Sequence, residues 1–97
     1  MAKKGYWVVC YKSVSNQATV SEYAKLAATA LEALGGCVIV GGKPAKAHEA
    51  GVDQSVVIVE FESLEKATAA YESDLYGRAL KVLDNAARRD FRIVEGR

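Results

Sequence analysis

Proline occurs once in these 97 residues, histidine once, tryptophan once and cysteine twice. So little proline excludes a polyproline or collagen-like chain, and eight glycines among 51% hydrophobic residues exclude a low-complexity linker. Cys10 and Cys37 form neither a CxxC pair nor a zinc spacing, so neither a disulfide framework nor a structural zinc is indicated. Both fall in apolar, strand-like segments and are expected to be buried reduced thiols. Charge of one sign is also lacking. Thirteen basic residues stand against twelve acidic ones, a net charge of +1, which gives no field that draws the chain to nucleic acid or anionic lipid. A small neutral or anionic metabolite suits such a surface better. No apolar run approaches the ~20 residues of a membrane span. Met1-Ala-Lys-Lys-Gly5 leads into strand-like sequence with neither an apolar core nor a cleavage site, so a cytoplasmic protein is expected.

What is present reads as one domain over residues 1–97, short enough to bury only about two-thirds of the surface that its unfolded chain exposes. Tyr6 to Tyr11 is rich in β-branched and aromatic residues and predicts a first strand. Thr19-Val-Ser-Glu22 has the spacing of a capping box and predicts a helix over 19–34. Val20, Tyr23, Ala27, Leu31 and Leu34 form its apolar stripe, and Gly35-Gly36 ends it. Cys37 to Gly42 is the second strand. A loop containing Pro44, Lys46, His48 and Gly51, long for a hairpin, leads to a third strand from Ser55 to Phe61. Ser63 and Ser73 are N-caps of two successive helical segments, the second running through Leu83 and Ala86, and Asp90 to Glu95 is a short last strand.

The order βαββαβ is the split βαβ, ferredoxin-like arrangement: an α+β fold with a four-stranded antiparallel sheet and helices on one face. Right-handed crossovers put strands one and three at the centre. Those strands are apolar on both faces, yet the helices cover only one. A second copy of the same surface is the simplest cover, so a homodimer packed sheet to sheet is expected.

Alternation along the third strand puts Glu60 on one face with Val56 and Ile58. A carboxylate on an apolar face is a candidate acid or base, because desolvation favours its neutral form. A partner arginine near the last strand would make it structural instead. His48, the lone histidine, lies in a polar loop where binding residues collect, or is simply solvated. No second ligand stands at metal spacing from it, so no metal is expected. Tyr71, Ser73 and Tyr76 mark the break between the helical segments, where hydroxyls can line a cleft; Ser73 is as readily a cap and the tyrosines core. Trp7 and Tyr11 share one face of the first strand and suit the core or a dimer interface. Arg78, Arg88 and Arg89 read as a solvated face, although any of them can hold a substrate carboxylate. The third strand lacks the aromatic and glycine pattern of an RNA-binding domain. Phosphate-loop, dinucleotide and nucleophile-elbow motifs are missing too, so no cofactor is expected.

Gly5-Tyr6, Tyr23, Gly35-Gly36, Gly41-Gly42, Val57 to Phe61 with Ser63, then Ala67, Tyr71, Ser73, Tyr76, Arg88 and Ile93 to Gly96 together resemble the family called domain of unknown function 1330. The resemblance spans nearly the whole chain. It implies the dimeric α+β barrel group, whose wider membership includes cofactor-independent monooxygenases, isomerases of small ring compounds and haem enzymes. The family pattern has a second tyrosine one turn after Tyr23, where Leu26 stands here, and an arginine where Leu83 stands. The expectation is a homodimer that binds or transforms a small organic molecule in a cleft between helices and sheet. Glu60 is its candidate acid or base, and His48, Ser73, Tyr76 and Arg88 are its substrate-binding candidates. The alternative is a non-catalytic binding or interaction module.

Overall fold

The computed structural model describes residues 3–97. Its elements run β1 (Gly5–Val14), α1 (Gln17–Leu34), β2 (Cys37–Gly42), β3 (Val56–Phe61), α2 (Leu64–Tyr71), α3 (Asp74–Leu83) and β4 (Ala87–Glu95). The strands form one antiparallel sheet in the order β2-β3-β1-β4, with β1 and β3 central as expected. The fold is ferredoxin-like, and Cα extents of 38 × 32 × 16 Å match one helical layer on one sheet.

Strand alternation sorts the side chains. In β1, Trp7, Val9 and Tyr11 are buried under the helices, while Tyr6, Val8 and Cys10 lie half-buried on the other face. Their neighbours follow the same parity: Trp7 pairs with Val59 and Ile93, and Val8 with Ile58 and Arg92. Trp7 is the hub of the core. Its ring centroid lies 4.8–5.1 Å from those of Phe61, Tyr76 and Phe91, and its indole N–H donates to the Ala67 carbonyl at 2.8 Å, which satisfies a buried donor. Gly5 lets β1 pass close to α2, since a Cβ there would come within 2.5 Å of the Ser63 carbonyl oxygen.

The caps at Ser63 and Ser73 form as expected, accepting from the backbone N–H groups of Lys66 and Tyr76 at 3.2 Å each. Three local expectations are corrected. Helix α1 starts at Gln17, because Asn16 in an extended conformation caps it and accepts from the Thr19 N–H at 3.1 Å. Thr19 therefore sits inside the first turn. Cys37 is exposed on the edge strand β2 and Cys10 only half-buried, because the open sheet face has no cover. Helix α3 stops at Leu83, where Asp84 turns the chain with φ of 47°. The turn is held by Ser15 N–H donating to the Ala86 carbonyl at 2.7 Å, and β4 starts at Ala87. Arg88 and Arg89 are consequently strand residues that point to opposite faces.

Candidate functional site

The extended β4 aims Arg89 inward, opposite Tyr11, with Phe91 and Ile93 on the same face. Its Nη1 donates to the Tyr23 hydroxyl at 2.9 Å, and the Tyr23 and Tyr76 hydroxyls are 2.5 Å apart. Each member comes from a different element: Tyr23 from the apolar stripe of α1, Tyr76 from the first turn of α3, Arg89 from β4. The Ser73 cap fixes the Tyr76 backbone N–H, so it sets the start of the helix that carries Tyr76. The guanidinium carbon also lies 5.0, 5.3 and 5.7 Å from the ring centroids of Tyr23, Phe91 and Tyr11, in cation–π range.

These three side chains form the polar end of a cavity of about 230 Å³ between α1 and the sheet. Trp7, Val9, Val57, Val59 and Phe91 wall the sheet side, Ala24, Ala27 and Ala28 the helix side, and Arg89 is the one charged residue in the lining. Alanine at 24, 27 and 28 keeps α1 from filling the space it spans. Ala24 and Ala28, one turn apart, are exposed at the rim, while Ala27 is buried.

Burial pushes the Tyr76 hydroxyl well above the ordinary phenol range, and the neighbouring Tyr23 adds to this, with Arg89 acting the other way. Tyr76 is therefore protonated at neutral pH, able to offer a hydrogen bond but not to act as a base. Burial also raises Tyr11. Desolvation alone would lower the pKa of Arg89, but its interactions with Tyr23 and Tyr76 outweigh this and leave it raised, so the group is a permanent cation. Arginine carries donors only, and its bond to Tyr23 occupies a lone pair of that hydroxyl. The cavity end is thus rich in donors and suits an acceptor or an anion.

Of the acid–base and substrate-binding candidates Glu60, His48, Ser73, Tyr76 and Arg88, Tyr76 alone lines this cavity, together with Trp7, Tyr11 and Arg89, which the sequence assigns to core, interface or solvated face. Glu60 lies on the opposite face of the sheet, where it accepts from the Tyr6 hydroxyl at 3.1 Å and stands 3.8 Å from Lys4 Nζ, in place of the anticipated arginine. His48 lines a separate hollow of about 380 Å³ with Cys10, Lys12 and Lys46, where the loop after β2 meets the open face. Ser73 borders a third, shallow hollow near Arg78 and donates to the Ala70 carbonyl at 2.6 Å. Arg88 is exposed, opposite Ser13. The chain does not bring Glu60, His48, Ser73 and Arg88 together. Two members of the cluster are placed elsewhere by the sequence: Tyr23 as one residue of a core stripe, and Arg89 first as part of a solvated face, with holding a substrate carboxylate only as the alternative it shares with Arg78 and Arg88. Alternation could have found Arg89, since a strand starting at Ala87 groups it with Phe91 and Ile93. Among the described residues there is no cluster of three or more His, Cys, Asp or Glu side chains fit to hold a metal ion, and no helix long and apolar enough to cross a membrane.

A family profile described as "Domain of unknown function (DUF1330)" matches residues 4–97. The chain belongs to that family. No curated protein matches its sequence. Among solved structures, the RPA0582 protein of unknown function from Rhodopseudomonas palustris is similar, with a TM-score of 0.70 at 17% identity over 98% of this chain and 82% of that one. A candidate antibiotic biosynthesis monooxygenase from Nitrosomonas europaea gives 0.60 at 15% identity, covering 99% of this chain and 92% of that one. A dimeric ferredoxin-like protein of unknown function from Thermobifida fusca gives 0.58 at 12% identity, covering 98% and 92%. At these identities the likeness is one of fold, so the chemistry of this DUF1330 chain has to be argued from its own side chains.

Proposed function

We propose that this DUF1330 protein binds a small organic molecule in the cavity between α1 and the sheet, and does so as a homodimer. The observation that carries the binding reading is the composition of the cavity: apolar walls converging on one polar end made by Arg89, Tyr23 and Tyr76. Small-molecule sites have this character, an apolar body with few oriented polar groups. At about 230 Å³ it is smaller than the usual drug-sized pocket, which restricts the ligand to a small molecule. If the ligand is transformed there, Tyr76 is the residue placed to hydrogen-bond a developing oxyanion, with Arg89 stabilising the charge.

The dimer reading rests on the open face, where Val8, Val56 and Ile58 lie without cover and Val40 and Val94 are 44% and 46% exposed. The Thermobifida fusca neighbour, described as dimeric, has the same fold. A self-complementary pairing of this face would enclose Glu60 together with Tyr6 and Lys4, in the role of a paired carboxylate at the interface. His48 and Arg88, at the margins of that face, fit a lesser part in it, and Ser73 acts through the position of Tyr76.

Trp7 is the one tryptophan and lines the cavity, so its fluorescence reports occupancy. Titration with small aromatic compounds is expected to shift Trp7 emission saturably. Ala28→Phe, at the exposed rim, is expected to abolish the response without loss of helical circular dichroism. A non-saturable response, or one untouched by Ala28→Phe, defeats the binding reading. For the dimer, sedimentation should give twice the 10.4 kDa chain mass at micromolar concentration, and a single-chain mass defeats it.

A further inference from the structure

We infer that the ligand of this cavity is a small monocarboxylate with an apolar body of about one ring, its carboxylate on Arg89 and its body against Trp7 and Phe91; the inference rests on the binding reading above. Arg89 is a mostly buried cation without a counter-ion. The ion pairs among the described residues join Lys4 to Glu60, Lys66 to Glu62 and Arg92 to Asp90, all elsewhere. Its own surroundings are the neutral Tyr23 hydroxyl, to which it donates, the Tyr76 hydroxyl beside that one, and the faces of three rings. The part of this guanidinium that is withdrawn from water faces no carboxylate, and a ligand carboxylate would supply the missing counter-charge on binding.

The guanidinium also has capacity to spare. It carries five donors, and the Tyr23 bond uses one of them. Among the described residues, no buried side-chain nitrogen or oxygen lacks a partner, so Arg89 Nε and Nη2, which make no side-chain hydrogen bond there, are not sealed inside protein, and Arg89 lines the cavity. A carboxylate matches that planar fork with two parallel hydrogen bonds. The Tyr23 and Tyr76 hydroxyls beside it can serve a further ligand oxygen.

Charge and size narrow the class. One cation in an otherwise uncharged lining suits a monoanion, whereas a phosphate or a dicarboxylate would leave negative charge against apolar walls. An apolar cavity of about 150 Å³ is enough to hold benzene, so about 230 Å³ holds one ring with a carboxylate and little more. A long acyl chain does not fit.

The test compares benzoate and phenylacetate with their neutral isosteres benzamide and phenylacetamide at pH 7, read by Trp7 fluorescence and calorimetry on wild type, Arg89→Gln and Ala28→Phe. The carboxylates should bind about tenfold or more tighter than the amides, as expected for charge-assisted hydrogen bonds. That preference should fall to about twofold or less in Arg89→Gln. If amides bind as well as carboxylates and Ala28→Phe blocks both, the carboxylate class is wrong and the cavity reading survives. If neither kind of probe binds, or Ala28→Phe blocks nothing, both readings fall. The wild-type ratio decides alone should Arg89→Gln fail to fold.

Discussion

The two faces of the sheet are built from alternate residues of the same strands and treat charge in opposite ways. On the open face Glu60 is met by Tyr6 and Lys4, and Arg92 makes two hydrogen bonds to Asp90 at 2.9 and 3.1 Å. On the covered face the charge in the cavity lining, Arg89, has hydroxyl and aromatic neighbours and no carboxylate. Charges that are already paired suit a surface that is to be packed against another protein, where unpaired charge costs association energy. A charge left without its counterpart beneath a helix suits a small anion. The aromatic residues divide the same way: Trp7, Tyr76 and Phe91 crowd the covered face, whereas Tyr6 lies on the open one between Glu60 and Val94.

The largest effect that separates the faces is on stability. Trp7→Ala removes the ring shared by Phe61, Tyr76 and Phe91 and is expected to cost about 3–5 kcal/mol, a large part of the total stability of a small domain. Val8→Ala, the next residue and on the other face, should cost the monomer less than about 1 kcal/mol, because its side chain is only half-buried there. Urea unfolding of both variants at dilute concentration is the measurement. Equal losses would mean that the open face is as fully packed as the covered one. Next in size is Ile58→Lys, which puts a charge at the centre of the open face. It should weaken dimerisation by about 3 kcal/mol or more, seen as a fall in sedimentation mass, with the circular dichroism unchanged.

Much of this division could be read in advance. The strand order, the caps at Ser63 and Ser73, and the grouping of Val56, Ile58 and Glu60 on one face follow from residue alternation and local hydrogen-bonding chemistry. Alternation does not say which of two apolar faces the helices will cover, so Glu60 could be assigned to a face but not to the correct one. The start of β4 was hidden for another reason. Ala86, Ala87 and Leu83 continue a helical pattern, and what stops the helix is a positive φ at Asp84, a residue that carries no strong termination signal. Three residues of misplaced boundary were enough to leave Arg89 on the surface. The start of α1 shows a smaller error of the same kind, since Asn16 and Thr19 are both good caps and only the folded backbone decides between them.

The covered face should also answer to alkali. Tyr76 holds its proton more tightly in the folded chain than its ordinary value of 10.0, chiefly through burial. Below pH 10 both states are protonated and the contribution is fully present. Above it the unfolded chain releases the proton and the native chain does not, so stability falls by about 1.4 kcal/mol per pH unit for one such group. Tyr11, raised by burial as well, steepens the fall. Unfolding free energies between pH 9 and 11 should therefore slope less in Tyr76→Phe than in wild type. Tyr6 is raised mainly by its hydrogen bond to Glu60, and Tyr6→Phe should change the slope less than Tyr76→Phe does.

The smallest expected effect is the sharpest check on the contrast, because it uses two arginines three residues apart on one strand. Arg92 is 72% exposed and paired with Asp90, and an exposed ion pair gains little over its hydration by water. Arg92→Gln should leave the unfolding midpoint where it is and the benzoate preference intact, while slowing dimer association and flattening its salt dependence, the usual result of removing a charge at an interface rim. Arg89→Gln should do the reverse, removing the carboxylate preference and sparing the association rate. A common phenotype for the two variants would mean that the faces are coupled, and the assignment of ligand to one and partner to the other would have to be given up.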